Sequence, residues 1–306
     1  MYLPKKIDVI EVGPRDGFQN VKEFIQTDAK INIIEKIIAS GMKSIELTSF
    51  VQPKAIPQMA DAKEVAKTII DKYKNDDSLE FMSLVPNAKG AENALNTGIK
   101  KVCYVISVSE SHNKNNVNST VQKSLDDLRD LVTSYPELEI RLDVATAFGC
   151  PFEGEVAVRD VLALVDTALE IGVDEIVLCD TIGVAYPSQV ENLLGSVKKH
   201  FPKIGVPALH LHDTRGMGIA NVLVGMNNDV TRIETSIGGL GGCPFAPGAA
   251  GNTATEDLLN MLDSMGIETG VDFEKYMDAL SYVSKHVKSD LTGHMLKAIK
   301  GKESLE

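Results

Sequence analysis

Short β-rich apolar runs alternate along the chain with longer segments in which apolar residues recur at helical spacing. This alternation is the pattern of βαβ units, in which helices connect the strands of a parallel sheet. Eight β/α pairs can be counted. The strands are predicted at Ile7–Val12, Ser44–Thr48, Glu80–Val85, Lys101–Val108, Glu139–Thr146, Glu175–Leu178, Ala208–His212 and Val230–Ser236.

Eight β/α pairs favour a closed α/β fold, the (β/α)8 TIM barrel, because closure removes exposed edge strands and right-handed crossovers place every helix outside. An open doubly wound sheet is the alternative. After the barrel, helical patterns predict extra C-terminal helices, so we assign residues 1–270 to the barrel domain and 271–306 to a helical extension packed on it. The helical patterns include Ala29–Ala39, Ala62–Lys72, Ser124–Ser134, Val156–Ile171, Pro187–His200, Thr214–Met226, Ala254–Met265, Phe273–Lys288 and Leu291–Lys300.

Charge and cysteine usage narrow the class of protein. The formal net charge is −12, which repels phosphate backbones and anionic membrane surfaces, so we expect no nucleic-acid and no membrane partner. No stretch approaches the roughly 20 apolar residues that cross a bilayer. Cys103, Cys150, Cys179 and Cys243 lie far apart without a C-x-x-C pair, which predicts a reducing, cytoplasmic compartment.

Polar residues gather directly after the predicted strands, where a barrel builds its active site from the βα loops. Arg15 and Asp16 lie side by side in a turn after the first strand. His210 and His212 end the seventh strand and face the same side, because residues two apart on a strand point the same way. A structural ion pair and two satisfied core histidines are the alternative interpretations.

Closure of the barrel predicts a metal site from these residues. The first strand neighbours the eighth, and the eighth neighbours the seventh, so Asp16, His210 and His212 meet the loop that carries Asn252. A carboxylate, two imidazoles and an amide oxygen leave room for two substrate oxygens around an octahedral divalent cation, Mg²⁺ or Mn²⁺. Zinc is the alternative.

Four further residues are candidates for chemistry. Cys243 lies in the glycine-rich loop Gly238–Gly251, where we favour a reactive thiol over a small buried hydrophobe. The loop lacks the Lys-Ser/Thr ending of a P-loop, which excludes a nucleotide triphosphate cradle. Glu46 and Asp180 lie at strand ends, where carboxylates are more often catalytic than structural. Glu256 is either a ligand-orienting partner or a helix N-terminal acid.

Together these motifs resemble the 3-hydroxy-3-methylglutaryl-CoA lyases, in the superfamily of metal-dependent barrel lyases and Claisen-type condensing enzymes. The resemblance covers nearly the whole chain, and its most specific stretch is the glycine-rich loop. The matching stretches are Glu11-Val12-Gly13-Pro14-Arg15-Asp16-Gly17, Thr48-Ser49-Phe50-Val51 with Pro53-Lys54, Phe148-Gly149-Cys150-Pro151, Asp180-Thr181-Ile182-Gly183, His210-Leu211-His212-Asp213-Thr214, and Gly238 through Asn252 followed by Thr255-Glu256-Asp257.

The resemblance implies an enzyme, a carbon–carbon lyase that cleaves (S)-3-hydroxy-3-methylglutaryl-CoA to acetyl-CoA and acetoacetate with a divalent metal. It implies that the four predicted ligands bind the metal, His210 being catalytic as well. Arg15 would steady the enolate oxygen, Asp180 or Glu46 would take part in removing the hydroxyl proton, and Cys243 would move a proton to the enolate carbon. The barrel would be a pyruvate carboxyltransferase-like catalytic domain.

Departures from the family pattern concern the substrate. Ala55 stands where a tryptophan is common, Phe18 where a leucine is common and Cys179 where a glycine is common. A larger 3-hydroxyacyl-CoA is therefore an alternative substrate. The motifs are also compatible with a Claisen-type acyl-CoA synthase of the same superfamily, or with a catalytically silent barrel that binds metal and acyl-CoA.

An acyl-CoA substrate requires cations for its phosphates, and each candidate lysine could equally lie free on the surface. A homodimer is the expected assembly, since capped barrels often pair. The candidate lysines are Lys22, Lys54, Lys89 and Lys114.

Overall fold

The structure, a computed structural model, describes residues 2–242 and 251–303, with side chains through residue 298. Its eight strands form one closed, all-parallel barrel in chain order, with β1 paired to both β2 and β8. The predicted fold is therefore confirmed and the open sheet is excluded. The strands are β1 Asp8–Glu11, β2 Ser44–Ser49, β3 Glu80–Leu84, β4 Lys101–Ser107, β5 Glu139–Ala145, β6 Glu175–Asp180, β7 Ala208–Leu211 and β8 Arg232–Thr235.

The helices surround the barrel, and local chemistry marks the ends of several of them. The Thr120 side chain accepts the Lys123 amide at the start of α5, and Gly172 ends α6 in the left-handed region at φ 101°. The helices are α1 Thr27–Ala39, α2 Ala62–Tyr73, α3 Ala88–Leu95, α4 Glu110–Val117, α5 Val121–Ser134, α6 Val158–Ile171, α7 Pro187–His200, α8 Gly218–Asn227, α9 Thr255–Ser264, α10 Phe273–His286 and α11 His294–Glu303.

Two details differ from the sequence prediction. Helix α8 begins four residues after the predicted Thr214, because the Asp213 carboxylate accepts the Gly218 amide at 2.6 Å and starts the helix there. The apolar spacing does not predict helices α3 and α4, each of which is only eight residues long. Short helices show too little periodicity to be distinguished from loops.

The apolar core lies in two layers. Most of it fills the space between the barrel and the helices, where Ile45, Leu47 and Leu209 face outward against helical residues. A smaller set, Ile10, Val12, Met82 and Cys103, packs in a separate cluster. Among the described residues, the helices are too short or too polar for any of them to cross a bilayer.

Candidate active site and metal centre

A single π-helical turn, Gly13–Gly17, follows β1 and carries Arg15 and Asp16. The Val12 carbonyl accepts the Asp16 amide at 2.7 Å and the Gly17 amide at 3.3 Å, so the turn is wider than an α-helical one. A side chain at Gly13 would lie 2.6 Å from the Glu11 carboxylate. The turn therefore needs glycine at its first position to lie this close to the barrel.

His210 of β7 and His212, just after the end of that strand, face this turn. His210 Nε2 and His212 Nε2 are 3.1 Å apart, and both rings are buried. Ligand atoms of His210, His212 and Asp16 all lie within 4.8 Å of one another. The closed barrel thus brings residues from its first and seventh strands to one point, as the sequence predicted.

Asn252 completes this group. It forms an isolated bridge with His212, and its amide nitrogen donates to Asp16 Oδ2 at 2.7 Å and to the Leu240 carbonyl at 2.9 Å. Gly241, at φ 118°, lies so close that a side chain there would be 2.4 Å from the Asn252 nitrogen. One reason for the glycine-rich loop is therefore this close approach of its backbone to the Asn252 side chain.

The donor atoms fit a divalent cation. Asn252 Oδ1 is buried and has no hydrogen-bond partner among the described residues, although buried polar atoms are normally satisfied. His210 Nδ1 lies 2.6 Å from Glu234 Oε2, a contact that fixes Nδ1 as the protonated nitrogen and leaves the Nε2 lone pair for a ligand bond. The carboxylate, two imidazoles and amide oxygen suit Mg²⁺ or Mn²⁺.

Sequence reasoning missed the residues that hold His210. Glu234 of β8 pairs with fully buried Arg141 of β5, and Arg141 Nε also lies 3.1 Å from Asp143 Oδ1. A signal existed, because charged residues inside strands that are otherwise apolar must face a polar interior. Arg141, Asp143 and Glu234 are such residues, and they place a second layer of charge against the histidine pair.

Electrostatics favour the metal-binding forms of Asp16 and His212. Burial opposes ionisation of Asp16, but the Arg15 guanidinium and the two imidazoles outweigh it and lower the pKa of Asp16. Burial and the neighbouring His210 charge lower the pKa of His212 to about 3. A carboxylate and a neutral imidazole with a free lone pair are the forms that bind cations. For His210, burial opposes protonation, but the hydrogen bond and charge of Glu234 outweigh it and raise the pKa of His210, so a cation bound there would displace a proton.

The two candidate bases have different surroundings. Burial raises the pKa of Glu46 to about 7, against the opposing charge of Arg15, whose Nε donates to Glu46 Oε2 at 2.6 Å. Glu46 Oε1 is buried without a partner among the described residues. Burial also raises the pKa of Asp180 to about 6, but both its oxygens accept backbone amides, from Val184 at 2.9 Å and Ala185 at 3.0 Å.

The remaining predicted residues lie elsewhere or outside the described part of the chain. The candidate lysines Lys22, Lys54, Lys89 and Lys114 are exposed and follow β1, β2, β3 and β4 respectively; Lys89 pairs with Glu92. Cys243 lies outside the described residues. Glu256 is buried at the start of α9, where one oxygen accepts the Gly238 amide at 2.9 Å.

Comparison with known proteins gives a consistent result. The HMGL-like family model matches residues 6–283. Hydroxymethylglutaryl-CoA lyase YngG of Bacillus subtilis is 42% identical over 302 residues, covering 98% of this chain and 99% of that protein. A solved HMG-CoA lyase from B. subtilis superposes with a TM-score of 0.93 at 41% identity, covering 98% of this chain and 100% of that chain. An HMG-CoA lyase from Acinetobacter baumannii, solved with coenzyme A and 3-methylmalate, gives 0.90 at 36% identity over 97% and 96% of the two chains.

Proposed function

Since this chain belongs to the HMGL-like family, we propose that it is the carbon–carbon lyase that cleaves (S)-3-hydroxy-3-methylglutaryl-CoA to acetyl-CoA and acetoacetate. The single observation that carries the proposal is the cluster of Asp16, His210, His212 and Asn252 at the loop end of the barrel, where the buried Asn252 amide oxygen has no partner among the described residues. The solved relative that holds coenzyme A and 3-methylmalate supports an acyl-CoA ligand whose acyl group is a hydroxy acid.

The four clustered residues would hold Mg²⁺ or Mn²⁺. When bound, such an ion supplies Lewis acidity that makes a substrate hydroxyl easier to deprotonate. His210 is held for this task by Glu234, and Asp16 is held in its ionised form by Arg15. The supporting evidence is the donor set and the neutral state favoured for His212.

Proton removal from the tertiary hydroxyl is the first step for the protein's own residues. We assign it to Glu46, because its Oε1 is buried and unpartnered among the described residues, while both oxygens of Asp180 accept backbone amides. Loss of this proton turns C3–O into the ketone of acetoacetate. The electron pair of the C2–C3 bond then becomes the enolate of acetyl-CoA.

Arg15 is placed to stabilise the enolate oxygen. Its guanidinium is buried and fixed by Glu46 and Asp16, so it needs no reorganisation as negative charge develops. A preorganised donor of this kind contributes about 3–4 kcal/mol. Cys243 remains the proposed acid that protonates C2 of the enolate, which completes the products.

The test is turnover of purified protein with 3-hydroxy-3-methylglutaryl-CoA and added Mg²⁺ or Mn²⁺. We expect acetyl-CoA and acetoacetate in equal amounts, abolition by a chelator and recovery on adding metal. Acetyl-CoA formation that is absent under all metal conditions would refute the proposal. Thiol release from acetyl-CoA with a 2-oxoacid would instead identify the Claisen-type synthase.

The size of the acyl group that the site accepts is tested separately. Ala55, exposed in the loop after β2, stands where the family commonly has a tryptophan, which favours a larger 3-hydroxyacyl-CoA as the alternative substrate. Relative kcat/KM values on short and long acyl groups decide between them. The A55W variant is the matched test, since it should lower turnover of the larger substrates only.

Four further features of the protein are proposals of the same kind. Lys22, Lys54, Lys89 and Lys114 would bind the phosphates of coenzyme A, a role supported by their exposure after neighbouring strands. A cytoplasmic location is supported by four widely spaced cysteines, three of which are free in the described residues. A homodimer is testable by light scattering. The boundary between residues 1–270 and 271–306 also stays a prediction.

A further inference from the structure

A fully buried carboxylate, Glu11, lies at the end of β1 and accepts four hydrogen bonds. Its Oε1 accepts the amides of Gly13 at 2.7 Å and Ile237 at 2.9 Å. Its Oε2 accepts the Thr255 hydroxyl at 2.9 Å and the Tyr276 hydroxyl at 2.5 Å. The catalytic steps assigned to Glu46, Arg15 and Cys243 do not use this group, although it is as deeply buried as any charged residue at the site.

The four donors belong to four different segments. Gly13 opens the turn that carries Arg15 and Asp16, and Ile237 opens the segment that leads into the glycine-rich loop. Thr255 is the first residue of α9, and Tyr276 lies on α10. One carboxylate therefore ties the metal-binding turn after β1 to the neighbouring segment after β8 that leads into the glycine-rich loop.

Tyr276 brings the C-terminal extension into this network. Its side chain is fully buried, and its hydroxyl reaches a residue 265 positions earlier in the chain. Helix α10 otherwise packs on α1, α9 and the segment after β8. The hydroxyl adds to that apolar packing a directed contact with the residue that holds the Arg15–Asp16 turn.

We propose that Glu11 and Tyr276 are positioning residues for the metal centre, so that the C-terminal helix α10 is a functional part of the active site and not only a cap. The inference rests on the proposed function, because the turn they hold supplies Asp16 and Arg15. Both residues act through the amide of Gly13, where a close approach leaves no room for a side chain.

The main test compares Y276F with Y104F by Mn²⁺ affinity, measured from the electron paramagnetic resonance signal of free Mn²⁺ without substrate. Tyr104 is also a buried tyrosine, but it lies on β4 and packs in the outer core. For Y276F we expect about a tenfold weaker Mn²⁺ affinity and a similar fall in kcat with little change in KM, as for other residues that orient metal ligands. Y104F should match the wild type.

A second pair of variants distinguishes the effect of the length of the Glu11 side chain from the effect of its charge. E11Q keeps the side-chain length and an oxygen for the two amides, whereas E11D keeps the charge but is one methylene too short to reach them. We expect E11Q to retain Mn²⁺ affinity within about threefold and E11D to lose about tenfold or more, within the range seen for outer-shell partners. Thermal unfolding of each variant gives the folded fraction, to which every affinity is normalised.

The proposal is overturned if folded Y276F binds Mn²⁺ as tightly as Y104F, or if E11D equals the wild type. A loss shared by all variants in proportion to their unfolded fraction would also overturn it, because it would show a purely structural role. The Mn²⁺ comparison needs no substrate. Failure to cleave 3-hydroxy-3-methylglutaryl-CoA would therefore refute the proposed function. The Mn²⁺ affinities would still decide whether Glu11 and Tyr276 position the metal centre.

Discussion

The two ends of the barrel both carry buried or half-buried charges, but the surroundings of these charges differ. At the amino-terminal end, the first residues of six strands form one ionic network centred on Lys101 and Arg232. Lys101 contacts Glu80, Glu139 and Glu175, and Arg232 contacts Asp8, Glu80 and Glu175. Each cation at this end is surrounded by carboxylates.

At the carboxyl-terminal end, paired charges lie beside buried polar atoms that have no partner among the described residues. Arg15, Arg141 and their carboxylates are paired, yet Asn252 Oδ1, His212 Nδ1 and Glu46 Oε1 have no partner among the described residues. Unpartnered buried atoms cost stability unless a ligand satisfies them. The comparison indicates that the amino-terminal charges, each in an ion pair, serve the fold. The carboxyl-terminal end is where a barrel binds its ligands, and there the unpartnered atoms come from residues that cluster together.

The largest expected effect comes from Asp16→Asn, which removes the carboxylate at the ligand end. Loss of a charged ligand of this kind should raise the barrier by about 3–4 kcal/mol, roughly 10²–10³ in kcat, and abolish Mn²⁺ binding in the micromolar range. Calorimetric titration and steady-state rates measure both. The control is D8N at the first residue of β1, the strand that precedes the Asp16 turn, and this variant should keep both kcat and Mn²⁺ binding. An equal loss of kcat and Mn²⁺ binding in D16N and D8N would contradict the difference that we propose between the two ends of the barrel.

Glu234→Gln should give the next largest effect. A neutral amide accepts the hydrogen bond from His210 Nδ1 more weakly than a carboxylate does, so His210 loses its fixed orientation. Mn²⁺ affinity should fall by about 10- to 100-fold, as for other partners of ligating histidines. E139Q, which removes a carboxylate of the opposite end, should leave Mn²⁺ affinity unchanged. A weaker affinity in E139Q and not in E234Q would reverse our assignment of the two ends.

A pH dependence from Glu256, at the carboxyl-terminal end, should come third. Burial raises its pKa from the ordinary value of 4.5 to about 8, so the folded state holds a proton that the unfolded state releases. The stabilisation is complete below pH 4.5 and is lost as the pH rises to about 8. Relative to E256Q, the wild type should lose about 3 kcal/mol of unfolding free energy between pH 5 and pH 8. A stability difference between the two proteins that stays constant with pH would show that Glu256 is ionised when folded.

The smallest effect is expected from Arg232→Met, which should change stability and not chemistry. The side chain is 26% exposed and contacts three carboxylates, so its removal should lower the free energy of unfolding by about 1–2 kcal/mol. Urea unfolding measures this loss, and kcat should stay within about twofold of the wild type. K67M, at an exposed pair with Asp71, should change stability by less than about 0.5 kcal/mol. Loss of kcat in R232M would show that the amino-terminal end takes part in function.

Much of the site could be predicted from sequence because its parts lie at strand ends. Two histidines spaced for one face of a strand, and an acid after the first strand, converge once eight parallel strands close into a barrel. The residues that support the ligands could not be predicted in the same way. Arg141 and Glu234 are separated by 93 positions, and no local pattern indicates that they pair. Sequence could not distinguish the lysines proposed for coenzyme A from other surface lysines, because exposure is common to lysines that bind phosphate and lysines that do not.

The sequence by itself determined the order and number of strands and most of the helices, since alternation of apolar periodicities is a local property of the chain. It also determined that a carboxylate and two imidazoles come together at the barrel rim. Only the tertiary structure decided which atoms are left without partners and which residues hold the ligands, because hydrogen-bond satisfaction depends on the neighbours of each atom in space. The contact of Tyr276 with Glu11, across 265 positions, is of this second kind.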